Sequence, residues 1–224
     1  MEPLSSIPID SRRSVPGTTS RADERATAVT RGHGALERFL AARRCETADR
    51  LIPDALRHGR LVDVGCGSYP FFLSRVRFAE KVGLERPLAD GASRKAPPDV
   101  TVLAHDLEQE DALPFDGDSV HVVTMLAVFE HITPERLGVL LREIHRVLVA
   151  GGMYVLTTPP LWTTPILRGM ARARLVSSEE IDEHKTQYTS RQVLDLLARN
   201  GFDRRRVRWG YFEMGLNLWA TATK

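Results

Sequence analysis

Asp63-Val64-Gly65-Cys66-Gly67 closes a short apolar run, Leu61–Val64. Glycines at such a place let the backbone turn tightly and let a ligand approach main-chain groups closely. Alone, the pair reads equally as an ordinary turn. Three acids change the reading. Asp63 ends the apolar run, where a carboxylate can face a ligand ammonium. Glu85 lies about 20 residues beyond the glycines, at the end of the next apolar run, the place for an acid that accepts both hydroxyls of a ribose. Asp106 follows the third run, where it can accept from an adenine amino group. Each acid by itself is as readily an exposed loop carboxylate. Three of them at three successive run ends describe one site.

Such a site needs strands that end side by side. The pattern predicts strands at Leu61–Val64, Lys81–Leu84 (ending on Glu85), Asp99–Ala104, Ser119–Leu126 and Met153–Thr157. Between them it predicts a helix over Phe71–Phe78 and another over Pro134–Val149, stopped by Gly151-Gly152. Strands alternating with helices imply right-handed crossovers and a parallel sheet, with ligands beyond the carboxyl ends of the strands. Before the first strand, Leu36, Phe39, Leu40, Ala48, Leu51 and Leu56 fall at near-helical spacing, and Pro53 kinks or divides that helix. At the other end Ser190–Asn200 reads as a helix capped by Gly201. Two further strands, Val207–Phe212 and Leu216–Thr223, are too close together for anything but a hairpin, so the last strand is antiparallel to its neighbour. The fold class is therefore α/β, a single doubly wound domain with a mostly parallel sheet and an antiparallel C-terminal strand.

The chain resembles the class I S-adenosylmethionine-dependent methyltransferases, in the broad group of type 11 methyltransferase domains. The resemblance is carried by LVDVGCG at 61–67, VGLE at 82–85, HDLEQEDALPFDGDSVHVVTMLAVFEHI at 105–132, LREIHRVLVAGGMYVLTTP at 141–159 and EHKTQYTSRQVLDLLARNGF at 183–202. It implies a seven-stranded Rossmann-like sheet and S-adenosyl-L-methionine as cofactor. It also implies roles. Asp63, Gly65 and Gly67, with Cys66 between them, contact the methionine part, and Glu85 holds the ribose. Asp106 and the Leu107 backbone hold the adenine. Leu126 and Ala127 line the sulfonium side, and Glu130-His131 begins the helix after strand four. Many members carry a further glycine two residues after Gly67, whereas Tyr69 stands here, followed by Pro70. A dinucleotide fingerprint would need glycine at position 70, so NAD does not fit.

Methyl transfer needs alignment of acceptor, methyl and sulfur and exclusion of water. A hydroxyl acceptor adds the need for a base. His131 and His184 are the candidate catalytic residues, since histidine titrates near neutrality. His131 has a second reading in capping or packing at the helix start. His184 has one in fixing residues 159–188, which the resemblance places over the acceptor pocket. Tyr188 is a weaker candidate for orienting substrate. No H-x-x-x-H or C-x-x-C pair suggests a metal.

Composition narrows the partners. The net charge is +2, too small to argue for nucleic acid, and Arg204–Arg206 with Arg208 reads first as a solvated strand start. Residues 1–30 are polar and Pro-rich, which predicts a mobile tail ahead of a domain at 31–224. The segment PPLWTTPILRGMARARLV mixes apolar and basic residues. It suits a lid over the pocket or a peripheral contact with a membrane or lipid-linked acceptor. Two cysteines and no apolar leader or spanning run lead to the expectation of a cytoplasmic protein. The acceptor class expected is a small or medium-sized molecule, free or lipid- or sugar-linked. RNA or protein methylation, or a silent cofactor-binding subunit, are the alternatives.

Overall fold

The computed structural model describes residues 37–88, 95–163 and 188–224. His184 and most of the predicted lid lie outside these residues, as does the predicted tail. Seven strands form one sheet: β1 Arg60–Val64, β2 Glu80–Glu85, β3 Thr101–Ala104, β4 Val120–Leu126, β5 Leu148–Thr158, β6 Val207–Phe212 and β7 Asn217–Thr223. Their order is β3-β2-β1-β4-β5-β7-β6. The β3-β2-β1-β4-β5 ladder is parallel, and β7 runs antiparallel to both β5 and β6. This is the predicted parallel sheet with its reversed last strand.

The two faces follow from the period of two along each strand. Val62, Val64, Val123, Met125, Tyr154 and Leu156 face one side, where α2 (Pro134–Val147) and α3 (Ser190–Arg199) cover them. Leu61, Val122 and Val155 face the other, against α1 (Glu37–Leu51) through Cys45 and Ala48. Both sides of β1, β4 and β5 are therefore buried, as parallel strands require. Burying each large side chain fully contributes about 1.5–3 kcal/mol.

Helix boundaries have local causes. α1 ends two residues before Pro53, which starts a separate 3-10 turn, Asp54–Leu56. Proline cannot continue a helix. In α2, Leu137, Leu140, Leu141, Ile144 and Val147 make the buried stripe. α3 starts in a full capping box between Thr189 and Gln192. It ends with Gly201 at φ 108° and Phe202 N donating to Leu197 O, a Schellman closure.

Two expectations are corrected. Phe71–Phe78 is no helix. It is a set of turns, in which Ser74 Oγ donates to Phe71 O and Lys81 Nζ donates to Leu73 O and Val76 O. Side-chain bonds of this kind compete with the helical ladder, and Pro70 supplies no donor. Nor do Gly151-Gly152 stop α2. The chain leaves the helix at Leu148 and enters β5 at once, and the glycines sit inside β5 where its register with β4 shifts. Gly151, at φ 79°, makes that irregularity. No helix among the described residues is long and apolar enough to cross a membrane.

Candidate active site

On the α1 face each central strand changes from apolar to polar toward its carboxyl end. Leu61 gives way to Asp63, Val122 to Thr124 and Val155 to Thr157. Asp63 and Thr124 are register partners. Thr124 Oγ1 donates to Asp63 Oδ1 at 2.6 Å, with both side chains buried. Asp63 is enclosed beneath α1, and its charge is felt at Cys45 on that helix. Burial pushes the Asp63 carboxyl up to about 7, and the nearby Glu85 raises it too, against the Thr124 hydrogen bond. A positive charge placed beside this carboxyl would offset the burial and favour its charged form.

Glu85 ends β2 beside it. The side chain is buried, and Oε2 accepts from Gly67 N at 2.8 Å, so the acid also shapes the glycine loop. The loop is further tied by Gly65 N and Cys66 N, which both donate to Leu84 O. The two glycines serve different needs. Gly65 has φ 73°, and a methyl there would meet Val128 Cγ2 at 2.6 Å. It lets the loops after β1 and β4 pack together. Gly67 has φ 82°, and a methyl there would touch only Tyr69 O at 3.8 Å. Its open face is the one a ligand can approach. We therefore expect Gly65→Ala to lower stability by about 2–4 kcal/mol, from left-handed strain and overpacking, with partial rescue by Val128→Ala. Gly67→Ala is expected to lower stability by about 1 kcal/mol while weakening cofactor binding far more. Denaturant titration and calorimetry on the same variants check both halves.

Asp106 follows β3, half-buried. Its Oδ1 accepts from Glu108 N at 2.9 Å, and Arg86 Nε lies 3.6 Å from Oδ2. The Leu107 carbonyl accepts from Arg136 Nε and Nη2 at 3.2 and 2.9 Å, which fastens this loop to α2. Leu126 ends β4, and Ala127 turns sharply at φ 56°, its N–H bound by Thr157 O at 3.0 Å. A non-glycine residue in left-handed backbone marks a site held by its surroundings. Glu130 and His131 do not begin the next helix. They lie in a separate 3-10 turn, Phe129–His131, and α2 starts at Pro134 with Thr133 as its N-cap. Glu130 is buried and accepts from Thr158 Oγ1 at 3.0 Å, while His131 is partly exposed at the same end of the sheet.

The structure thus brings Asp63, Gly65, Cys66, Gly67 and Glu85 together, with Asp106, Leu107, Leu126, Ala127 and His131 along the same edge. Thr124 and Thr157 were missed by the sequence reading. Their signal was a hydroxyl at period two behind an apolar residue in an otherwise buried strand. A depression of about 440 Å³, lined by Arg60, Glu80, Thr101, Leu103 and Phe115, opens at the amino ends of β1–β3 and is separate from this site.

Comparison with known proteins agrees with the geometry. Residues 62–156 match the family model described as a methyltransferase domain. A SAM-dependent methyltransferase from Thermotoga maritima shares 20% identity at a TM-score of 0.61, over 84% of this chain and 90% of that one. One from Archaeoglobus fulgidus shares 16% identity at a TM-score of 0.61, over 84% and 95%. The complex of a Haloferax volcanii methyltransferase with the activator Trm112 matches at 16% identity and a TM-score of 0.63, over 92% and 99%. No curated protein matches the sequence. Strand order, reversed terminal strand and glycine loop define a Rossmann-like methyltransferase fold. The fold is that of the S-adenosylmethionine-dependent methyltransferase structures, and residues 62–156 resemble the methyltransferase-domain family.

Proposed function

We propose that the chain transfers a methyl group from S-adenosyl-L-methionine to a small or medium-sized acceptor, at oxygen, nitrogen or carbon. The observation that carries this reading is the buried Asp63 carboxyl beside an open Gly67 backbone and a buried Glu85. The cofactor supplies an electrophilic methyl on a cationic sulfur. The protein's own residues do the rest. Asp63 receives the ammonium of the methionine part, with Gly65, Cys66 and Gly67 along its backbone. Glu85 holds the ribose hydroxyls, and Asp106 with the Leu107 backbone holds the adenine. Leu126 and Ala127 border the reacting end. His131 and His184 are the candidate bases for an acceptor that must lose a proton. Residues 159–188 cover the acceptor side of a domain spanning 31–224. The buried cysteines Cys45 and Cys66 fit a reducing cytoplasm.

Label transfer from methyl-tritiated cofactor, run across small-molecule, protein and bulk RNA acceptors, tests the reading. We expect transfer to small molecules. Transfer confined to RNA, with salt-dependent filter binding, would replace this reading by RNA methylation. Tight cofactor binding with no product on any acceptor would make the chain a silent subunit.

A further inference from the structure

The chain crosses from β3 to β4 through residues 105–119 with no helix between the strands. The turn that carries Asp106 therefore has no helical ladder to hold it, and side chains supply the hold. His105 starts the turn. Its N–H donates to Glu85 O at 2.9 Å, which ties the turn to the end of β2. Glu110 closes it. Glu110 N donates to Asp106 O at 2.9 Å, and Glu110 Oε1 accepts from Asp106 N at 2.8 Å. The two residues are joined reciprocally, as in a capping box but without a helix to follow. The second oxygen, Oε2, lies 3.2 Å from Nδ1 of His105, whose side chain is only 2% exposed. One carboxylate so grips a buried imidazole and the Asp106 backbone together. Arg136 of α2 fastens the outer side of the same turn. It donates to Leu107 O at 2.9 Å, to Glu110 O at 2.7 Å and to the Asp111 carboxylate.

These bonds fix the direction of one side chain. Asp106 N is held by Glu110, and Asp106 Oδ1 accepts from Glu108 N at 2.9 Å. Oδ2 lies 3.6 Å from Arg86 Nε, outside hydrogen-bond distance, and the Asp106 side chain is 24% exposed. An acceptor oxygen is so left at the carboxyl edge of the sheet with its direction set.

We propose that Glu110 is a positioning residue for adenine selection. It holds Asp106 so that Oδ2 meets the amino group of the ring and turns away an oxo group at the same ring position. An amino group donates to a carboxylate oxygen. An oxo group offers only lone pairs, so the two acceptors repel. The selection depends on direction, since a hydrogen bond weakens steeply with misalignment. A carboxylate free to rotate would swing away from an oxo group, whereas the held one stays opposite it.

This proposal rests on the methyltransferase reading and on the adenine role of Asp106, and the experiment separates the three. The full chain is titrated calorimetrically with S-adenosylhomocysteine and with S-inosylhomocysteine, its 6-oxo analogue. The unsubstituted chain is expected to prefer the amino compound by at least about tenfold. Glu110→Ala is expected to cut that preference to about threefold or less. Glu110→Gln is expected to restore most of it, because its amide oxygen still accepts from Asp106 N. Asp106→Ala is expected to abolish the preference, and adding Glu110→Ala to it to change nothing further. A merely structural role for Glu110 would weaken both compounds by the same factor and leave their ratio intact. Glu110 is 51% exposed, so the variants are expected to fold, as melting curves check. Should Glu110→Ala not fold, Glu110→Asp, too short to reach both partners, carries the same expectation. The proposal is overturned if Glu110→Ala leaves the ratio unchanged or if Glu110→Gln falls as far as alanine. It is also overturned if Glu110→Ala lowers the ratio in the Asp106→Ala background. Equal binding of the two compounds by the unsubstituted chain removes the adenine role of Asp106 and this proposal, and leaves the methyltransferase reading standing. Binding of neither compound removes that reading as well.

Discussion

Asp63→Asn is expected to make the ligand-free protein more stable at pH 8 while removing most of its cofactor affinity. The carboxyl is buried and pushed up to about 7, first by that burial and then by Glu85, so the fold disfavours its charged form. The sign follows from proton linkage. Between the ordinary carboxylate range, near 4, and about 7, the folded protein holds a proton that the unfolded chain has released. Stability from this group is fully present below the lower value and lost as pH rises through the upper one. The loss is on the order of 3–4 kcal/mol at pH 8. Asparagine cannot ionise, and its amide oxygen can still accept from Thr124. Melting curves at pH 5 and pH 8 should therefore converge for the variant and separate for the unsubstituted protein. Cofactor binding moves the other way. An ammonium partner needs the charged carboxylate, so affinity should fall by about tenfold per pH unit below 7 and level off above it. The variant should lose about 100-fold and show no such slope. A variant that melts lower than the unsubstituted protein at pH 8 would contradict the assignment.

Glu85→Ala is the second large effect. Glu85 does two things at one place: its Oε2 accepts from Gly67 N at 2.8 Å, and its position at the end of β2 is where ribose hydroxyls come. Alanine removes both. We expect stability to fall by about 1–3 kcal/mol, from the Gly67 N–H left without its acceptor. We expect cofactor affinity to fall by at least about 100-fold. Glu85→Gln keeps an oxygen for Gly67, so it should retain near-normal stability while still losing about tenfold in affinity. Denaturation and calorimetry on both variants distinguish loop support from ligand contact. Equal losses of affinity in the two variants would mean that Glu85 acts through its charge alone.

Most of the sheet was legible because its strands carry their own signals. β1, β2 and β4 are apolar runs that end in an acid or a turn. The hairpin of β6 and β7 could be read from the short gap around Gly215. The turns at 71–78 were not legible as such. Phe72, Leu73 and Val76 are buried as a helix face would be, but a lysine ten residues after Phe71 supplies the donors that a helix would have supplied itself. Gly151-Gly152 misled for a related reason, since a glycine pair after a helix is a stop signal unless the strand has already begun. The acids of the site were legible one by one from their places at strand ends. What could not be read was their environment. Thr124 meets Asp63 across 61 residues of sequence, and only the register of β1 with β4 makes that contact.

The most direct test is calorimetric titration of S-adenosylhomocysteine into the full chain at pH 8, repeated at pH 6 in buffers of different ionisation enthalpy. Saturable binding in the micromolar range is expected at pH 8. At pH 6 weaker binding with a proton released is expected, because Asp63 must deprotonate to receive the ammonium. No heat at either pH, or binding at pH 6 with no proton released, would contradict this reading.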